Sequence, residues 1–275
     1  MNKTWRLALL LPLAQAASAS ELAAHEWSGF HAGLHVGYGS GRASTKISGS
    51  ASYADPESSE ANQLAAAMAN AVPASLDATP AGYASRLSLG YDWQYGSLVY
   101  GLEADLWVAS ISQTGSAAGS SPISGFPWNS MSSTVHLESR IDNLQMLRAR
   151  LGHGRDNWLL YTSAGLVSGE VRSRLTATEY IQGEIGNISS TLPGSITAKS
   201  ERLGWTASCG LEYALSEKWS LRAEYLYYRL ASSRTQSSFT STQTSNNNAP
   251  YASATADLRT SWSGNLVSMG LNYRF

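Results

Sequence analysis

Cysteine is nearly absent: Cys209 stands alone in 275 residues, which excludes an intrachain disulfide and any structural zinc site built on cysteine pairs. Charge is scarce too, at 14%, where a water-soluble domain usually carries about 25%. Only four lysines occur, Lys3, Lys46, Lys199 and Lys218. A net charge of −1 provides no broad basic surface, so nucleic acid is not an expected partner. No run of about 18 apolar residues exists, which excludes an ordinary membrane-spanning helix. The chain has instead 24 glycines, 14 tyrosines, nine tryptophans and an abundance of Ser, Thr, Asn and Gln. So many aromatics do not fit a disordered chain.

The one continuous apolar stretch follows Lys3 and Arg6, running Leu7-Ala8-Leu9-Leu10-Leu11-Pro12-Leu13-Ala14, and is followed by Ala17-Ser18-Ala19. A charged start, a short apolar region and a small-x-small cleavage site predict a secretory signal peptide over 1–19 and a mature domain over 20–275.

In that domain the dominant period is two. Val267, Met269, Leu271, Tyr273 and Phe275 alternate with Ser268, Gly270, Asn272 and Arg274, and Phe30 to Tyr38 behaves alike. This is the mark of strands with two unlike faces. Tyr83, Leu87, Leu89, Tyr91 and Trp93 share one face opposite Arg86, Ser88, Gly90 and Asp92. After Gly96-Ser97 the run Leu98, Tyr100, Leu102, Ala104, Leu106, Val108 opposes Gly101, Glu103, Asp105 and Trp107. The pairs 135–151 with 158–171, and 203–215 with 219–228, continue the series; the facing of 158–171 stays open because Leu159-Leu160-Tyr161 breaks the alternation. Eight strands result. Their connections alternate between tight turns near 96–97, 153–157 and 216–218, and four long Ser/Thr/Ala/Gly-rich loops at about 42–81, 113–134, 175–199 and 232–257. Gln63–Met68 in the first loop has the composition of a short helix.

Charge placement decides which face is inside. Glu103, Asp105, Arg148, Arg150, Glu212, Arg222 and Glu224 all fall on the polar, small-residue face, while the other face is uncharged. A basic residue facing lipid near the midplane costs about 2–4 kcal/mol, whereas an eight-stranded barrel has an interior just wide enough for side chains. A lipocalin-like soluble barrel would invert this arrangement. Aromatics gather beside the tight turns and chain ends (Phe30, Trp93, Tyr95, Tyr100, Trp158, Tyr213, Trp219, Tyr273, Phe275), as at a membrane interface. The pattern therefore predicts an all-β, eight-stranded, antiparallel, up-and-down transmembrane β-barrel in an outer membrane, closed by its first and last strands, with both termini in the periplasm.

The stretches Trp27-Ser28-Gly29-Phe30-His31-Ala32-Gly33, Leu147-Arg148-Ala149-Arg150-Leu151-Gly152, Gly204 to Tyr213 and Leu221-Arg222-Ala223-Glu224-Tyr225-Leu226-Tyr227 resemble the small outer-membrane β-barrel proteins of Gram-negative bacteria, in particular the alphaproteobacterial porin-family and surface-antigen group. The resemblance implies structural surface proteins, antigens or presumed porins. It also implies that the ending Gly270-Leu271-Asn272-Tyr273-Arg274-Phe275 presents Tyr273 and Phe275 as the signal read by the barrel-assembly machinery.

Three classes of function remain to be weighed. A wide pore conflicts with an interior of paired Arg and Glu side chains, though a narrow or gated pore for small solutes stays open. For catalysis, only His136 lies near the outer rim. Glu138 shares its face and serines abound, so a Ser–His–Glu set is easily drawn, but a histidine at a loop base is the preferred reading. For a metal or haem, His31 and His35 are four residues apart on a strand, about 13 Å, and cannot share one ion. No cofactor is expected, and Cys209 on the lipid face reads as inert. The predicted role is a structural scaffold with a charge-plugged lumen and four displayed loops. A loop-mediated adhesin or surface antigen is the other alternative. Expected partners are outer-membrane lipid and lipopolysaccharide, the assembly machinery, and host or phage surfaces through the loops, of which Phe126-Pro127-Trp128 is the one aromatic cluster.

Overall fold

A computed structural model describes residues 25–53, 59–182, 188–241 and 252–275; the segment read as a signal peptide lies outside them. The order of elements is β1 (Gly29–Tyr53), α1 (Ser59–Ala71), β2 (Ser75–Ala78), β3 (Ala81–Tyr95), β4 (Leu98–Ile123), β5 (Phe126–Arg155), β6 (Trp158–Gln182), β7 (Ile188–Ala214), β8 (Trp219–Ser241) and β9 (Ala252–Arg274). Each strand pairs antiparallel with the next, and β9 returns to β1 in a register running from His31↔Arg274 to Tyr53↔Ala252. Eight strands thus close a ring, and short β2 lies along β1 at Ala43–Lys46, above the end of β3. From the turns up to the level of Ala81 and Gly204 closure leaves no free edge in the ring, the only way a sheet can cross lipid.

Three tight turns join the strands at one end. Gly96 adopts φ +60 and Asp156 φ +52, left-handed conformations that suit two-residue hairpins. Both described chain ends lie at this end, where Phe275 N donates to Phe30 O at 3.0 Å.

The other end differs from the sequence expectation. Three of the four long loops are mostly strand, and the first is partly so. β1 runs on to Tyr53, β4 and β5 meet at a two-residue turn closed by Gly125 (φ +80), and β6 to β9 extend equally far. Seven of the wall strands are 23 to 30 residues long. Alternating Ser and Thr with Ala, Gly and occasional Leu gives a weak period-two signal, and such runs pass for loops. What remains of the first loop holds α1 and β2, and the expected helix at 63–68 is part of α1.

The facing of side chains changes along the barrel. Near the turns, Leu34, Leu102, Leu151, Leu160 and Leu271 point outward and the charged residues inward. Between the aromatics Phe30 and Tyr38 the uncharged belt spans nine residues. At about 3.3 Å per residue and a tilt near 40°, that is roughly 20 Å of height, close to the ~25 Å apolar band of membrane barrels. Above the belt the arrangement reverses. Trp107, Ile111, Ile141, Leu144, Val167, Leu226, Leu230 and Trp262 meet in the interior, and Ile47, Leu76, Val135, Leu137, Leu175 and Leu258 form a second cluster higher up. Outside, Thr114, Ser116, Arg140 and Arg172 are exposed. The expectation of an apolar outside and a charged inside holds for the belt and fails beyond it, because water replaces lipid as the outer solvent. On β5 the switch has occurred by Met146 and Leu144, and a register shift between Ile141 and Asn143 then changes the inward set from even to odd positions. The open question about β6 resolves to Leu159, Tyr161, Ser163, Val167 and Val171 inward.

Above Gly204↔Leu230, β7 and β8 form no further pairs among the described residues. Across the first connection, α1 packs Ala67, Met68 and Ala71 against Ile123 and Met131, covering the gap above β3.

Candidate functional site

The most organised chemistry lies inside the belt. β3, β4, β5, β6, β7, β8 and β9 each aim alternate residues at the axis, so charges far apart in sequence converge. Arg86 donates from Nε to Asp105 (2.6 Å), from Nη2 to Glu103 (2.6 Å) and from Nη1 to Glu224 (2.9 Å). Arg148 donates to Asp105 (2.7 Å), Glu103 (2.5 Å) and Glu224, and to the hydroxyls of Ser163 and Ser208 at 3.0 Å each. Arg222 donates to Glu103 and, at 2.7 Å, to Glu224. Three guanidinium groups and three carboxylates thus form one closed set.

A second set lies nearer the turns. Arg150 donates to Asp92 (3.1 Å) and to Glu212, and Arg274 reaches Asp92 at 3.4 Å. Glu212 also accepts from Ser220 Oγ (2.6 Å) and Asn272 Nδ2 (3.0 Å). Tyr161 joins the two sets. Its hydroxyl donates to Glu224 (2.7 Å) and accepts from Arg222 Nε (2.5 Å), while the Arg150 guanidinium sits 3.9 Å from its ring centroid. Gly210 makes room for that ring, since a Cβ there would stand 2.7 Å from Tyr161 Cε1. His31 lies between Asp92 (3.4 Å) and Glu103 (3.3 Å). Within these two sets five arginines face five acids; a sixth buried arginine, Arg202, lies outside them and donates to the Thr260 carbonyl at 3.2 Å. Charge-assisted contacts this dense are the condition for burying ions at tolerable cost.

Apolar layers close the network on both sides. Toward the turns, Trp27, Val99, Leu159 and Ala214 are packed together. Trp27 enters the mouth from the N-terminal segment; its backbone N–H donates to Gln94 Oε1 (2.6 Å), its carbonyl accepts from Arg274, and His25 meets its ring at 4.5 Å. On the far side stands the cluster around Trp107, Leu144, Trp262 and Leu266.

All seven charges singled out from the sequence, Glu103, Asp105, Arg148, Arg150, Glu212, Arg222 and Glu224, lie in this network. Arg86, Asp92, Arg274, Tyr161 and His31 belong with them. Arg86 and Asp92 share the polar face of β3, so strand parity alone was a sufficient signal. Tyr161 was hidden in the run whose facing was ambiguous. Arg274 was masked by its aromatic neighbours Tyr273 and Phe275, which are exposed or partly so and meet edge-to-face at 5.0 Å.

The residues considered for catalysis lie elsewhere. His136 and Glu138 share a face of β5, but it is the outer wall, where a depression of 240 Å³ is lined by Thr114, Ser116, His136 and Glu138. Ser116 pairs with His136 across the strands, yet among the described residues no hydrogen bond links Ser116, His136 and Glu138. His35 meets Ser88 Oγ at 3.3 Å inside the barrel. Among the described residues no three His, Cys, Asp or Glu groups are placed to hold a metal ion. Cys209 is exposed on the outer face of the belt. Trp128 is 75% exposed at the tip of the β4–β5 hairpin, level with Pro122 and Ile123 and so some 14 residues up the strand from Val108. That is roughly 35 Å beyond the belt, so its aromatics do not lie at the membrane interface; Phe126 packs instead beside α1.

The family described as outer membrane protein beta-barrel domain matches residues 8–275. The 31 kDa outer-membrane immunogenic protein of Brucella melitensis is 29% identical over 215 residues, covering 77% of this chain and 75% of that protein. The 22 kDa outer membrane protein of Rhizobium leguminosarum is 25% identical over 146 residues, covering 53% and 52%. Among solved structures, the outer membrane protein OprG of Pseudomonas aeruginosa aligns with 92% of this chain and 98% of its own at a TM-score of 0.40 and 11% identity. The attachment invasion locus protein Ail of Yersinia pestis aligns over 90% and 99% at a TM-score of 0.29 and 10% identity.

Proposed function

The chain belongs to the outer membrane β-barrel protein family, its place is the outer membrane, and from that premise we propose that it is a non-catalytic, non-conducting structural barrel that carries a rigid β-stalk beyond the outer surface. The observation that carries this reading is the layered interior, in which a balanced charge network is closed by apolar layers toward both ends. Water and solutes would have to separate five arginines from five acids to pass. The turn end then faces the periplasm, and the stalk presents its polar wall and hairpin tips to the exterior.

Names of the relatives favour a second, compatible role. The Brucella proteins are called immunogenic, and a stalk of this height would make the present chain a surface antigen. Among the described residues it presents strand wall and the short hairpin at Ser124-Gly125 in place of a long second loop. Planar-bilayer recording of the purified protein tests the sealed lumen. The expected result is no stable unitary current; reproducible unitary steps would overturn it in favour of a narrow porin.

A further inference from the structure

Basic residues on the outer wall are unevenly distributed. On the β5–β6 side, Arg140 and Arg172 are held by Asp142 and Glu170: Arg140 Nε lies 2.5 Å from Asp142, and Arg172 Nε lies 3.1 Å from Asp142 and 2.9 Å from Glu170. That face neutralises itself. On the β1–β9–β8 side the register sets cations beside cations. Lys46 pairs with Arg259, and Arg259 with Arg234, so three cations lie in one cross-strand row. Four residues nearer the membrane, Arg42 and Arg229 flank Ser263. All five are exposed. Arg234 binds Asp257 at 3.1 Å; the other four make no ion pair among the described residues. Like charges directly opposite one another on a sheet are destabilising, and among the described residues Asp257, held by Arg234, is the one acid paired with these five cations.

The height of the rows indicates what offsets the others. Tyr38, Tyr83 and Tyr227 mark the upper edge of the belt, with Tyr38 and Tyr83 in edge-to-face contact at 5.5 Å. Arg229 is two residues above Tyr227 and Arg42 four above Tyr38, roughly 5–10 Å along the membrane normal. Phenolic rings at this level sit among headgroups. The lower row therefore stands where the phosphates of an outer-leaflet lipid lie, and the upper row about 10 Å higher, at the level of a sugar extension.

We propose that the β1–β9–β8 face, through Arg42, Arg229, Lys46 and Arg259, binds the phosphate groups of an outer-leaflet phosphorylated glycolipid of lipopolysaccharide type. The proposal rests on the outer-membrane placement and is independent of whether the lumen conducts. The bound anions supply counter-charge to these four cations, and the tyrosines beneath pack the same lipid's upper acyl segments.

Native mass spectrometry of the full-length protein in detergent tests this. The probes are rough-type lipopolysaccharide, the same lipid after dephosphorylation, and inositol hexakisphosphate as a soluble polyanion. The wild type should retain the phosphorylated lipid at least about tenfold more tightly than the dephosphorylated one. Each cation removed should weaken it roughly fivefold, so R42Q/R229Q/K46Q/R259Q should lose at least about a hundredfold, while R140Q/R172Q/R174Q on the opposite face changes it less than about twofold. Heat-modifiable gel migration shows whether each variant is folded, and the wild-type phosphorylated-to-dephosphorylated ratio needs no variant at all. Equal retention of the two lipids, equal loss in the opposite-face variant, or binding of the soluble polyanion as tight as that of the lipid would each overturn the proposal.

Discussion

Within one continuous set of strands, the segment inside the belt and the stalk above it obey opposite rules. In the belt, Leu102 and Leu106 of β4 point outward while Glu103 and Asp105 point to the axis. A few residues later the same strand points Trp107, Ala109 and Ile111 to the axis and Ser110 and Ser112 outward. The backbone ladder hardly changes. The solvent does, and with it the side chains that each face must carry. The belt interior is filled by buried ions that depend on one another for partners, the stalk interior by ordinary apolar burial.

The largest expected effect is in the belt. Replacing Arg148 by Met leaves Glu103, Asp105 and Glu224 each short of a donor. Removal of one partner from a buried set typically costs about 3–5 kcal/mol, so urea unfolding in lipid vesicles should show a loss of that size. A loss under about 1 kcal/mol would mean that water already reaches the network. In the stalk, Leu144→Ala should cost about 2–5 kcal/mol as a core cavity, whereas Leu102→Ala on the lipid face should cost well under half as much; equal losses would erase the distinction. A charge scan sharpens it further. Leu102→Arg should cost about 2–4 kcal/mol near the bilayer midplane, and Thr114→Arg, on the outer face of the same strand but in water, less than about 0.5 kcal/mol.

The smallest effect concerns the plug at the turn end. Burial against Trp27, with Arg274 nearby, holds the His25 imidazole below its ordinary pKa. The docked segment therefore favours neutral His25. Its contribution is present above the unfolded value of about 6.5 and is lost as pH falls through the lower folded value. Hydrogen exchange of the peptide containing His25 and Trp27, corrected for intrinsic rates, should quicken as pH drops below about 6.5 in the wild type but not in His25→Gln. The same acceleration in both would assign the change to another group.

The belt was legible in the sequence because it is amphipathic with a strict period of two, and because seven ions on one face of many strands admit one interior. The stalk was not. Ser and Thr satisfy a solvated strand face as readily as a loop, and its few inward apolar residues, such as Ile47, Val135, Leu137 and Leu258, are spaced among small ones. Register shifts such as the one at Ile141/Asn143 also interrupt the parity that a linear reading depends on. The charge network was legible as a set of inward residues. Its pairing was not, because which arginine meets which acid depends on the stagger of strands around a closed ring.

Spin-label accessibility along β4, in a Cys209→Ser background, addresses the reversal most directly. Labels replacing Leu102 and Leu106 should collide readily with oxygen and poorly with a water-soluble nickel chelate. Labels at Thr114 and Ser116 should show the opposite preference, and labels at the inward positions Asp105, Ala109 and Ile111 should be shielded from both. Nickel access at the inward positions would mean a water-filled channel through belt and stalk and would contradict the account.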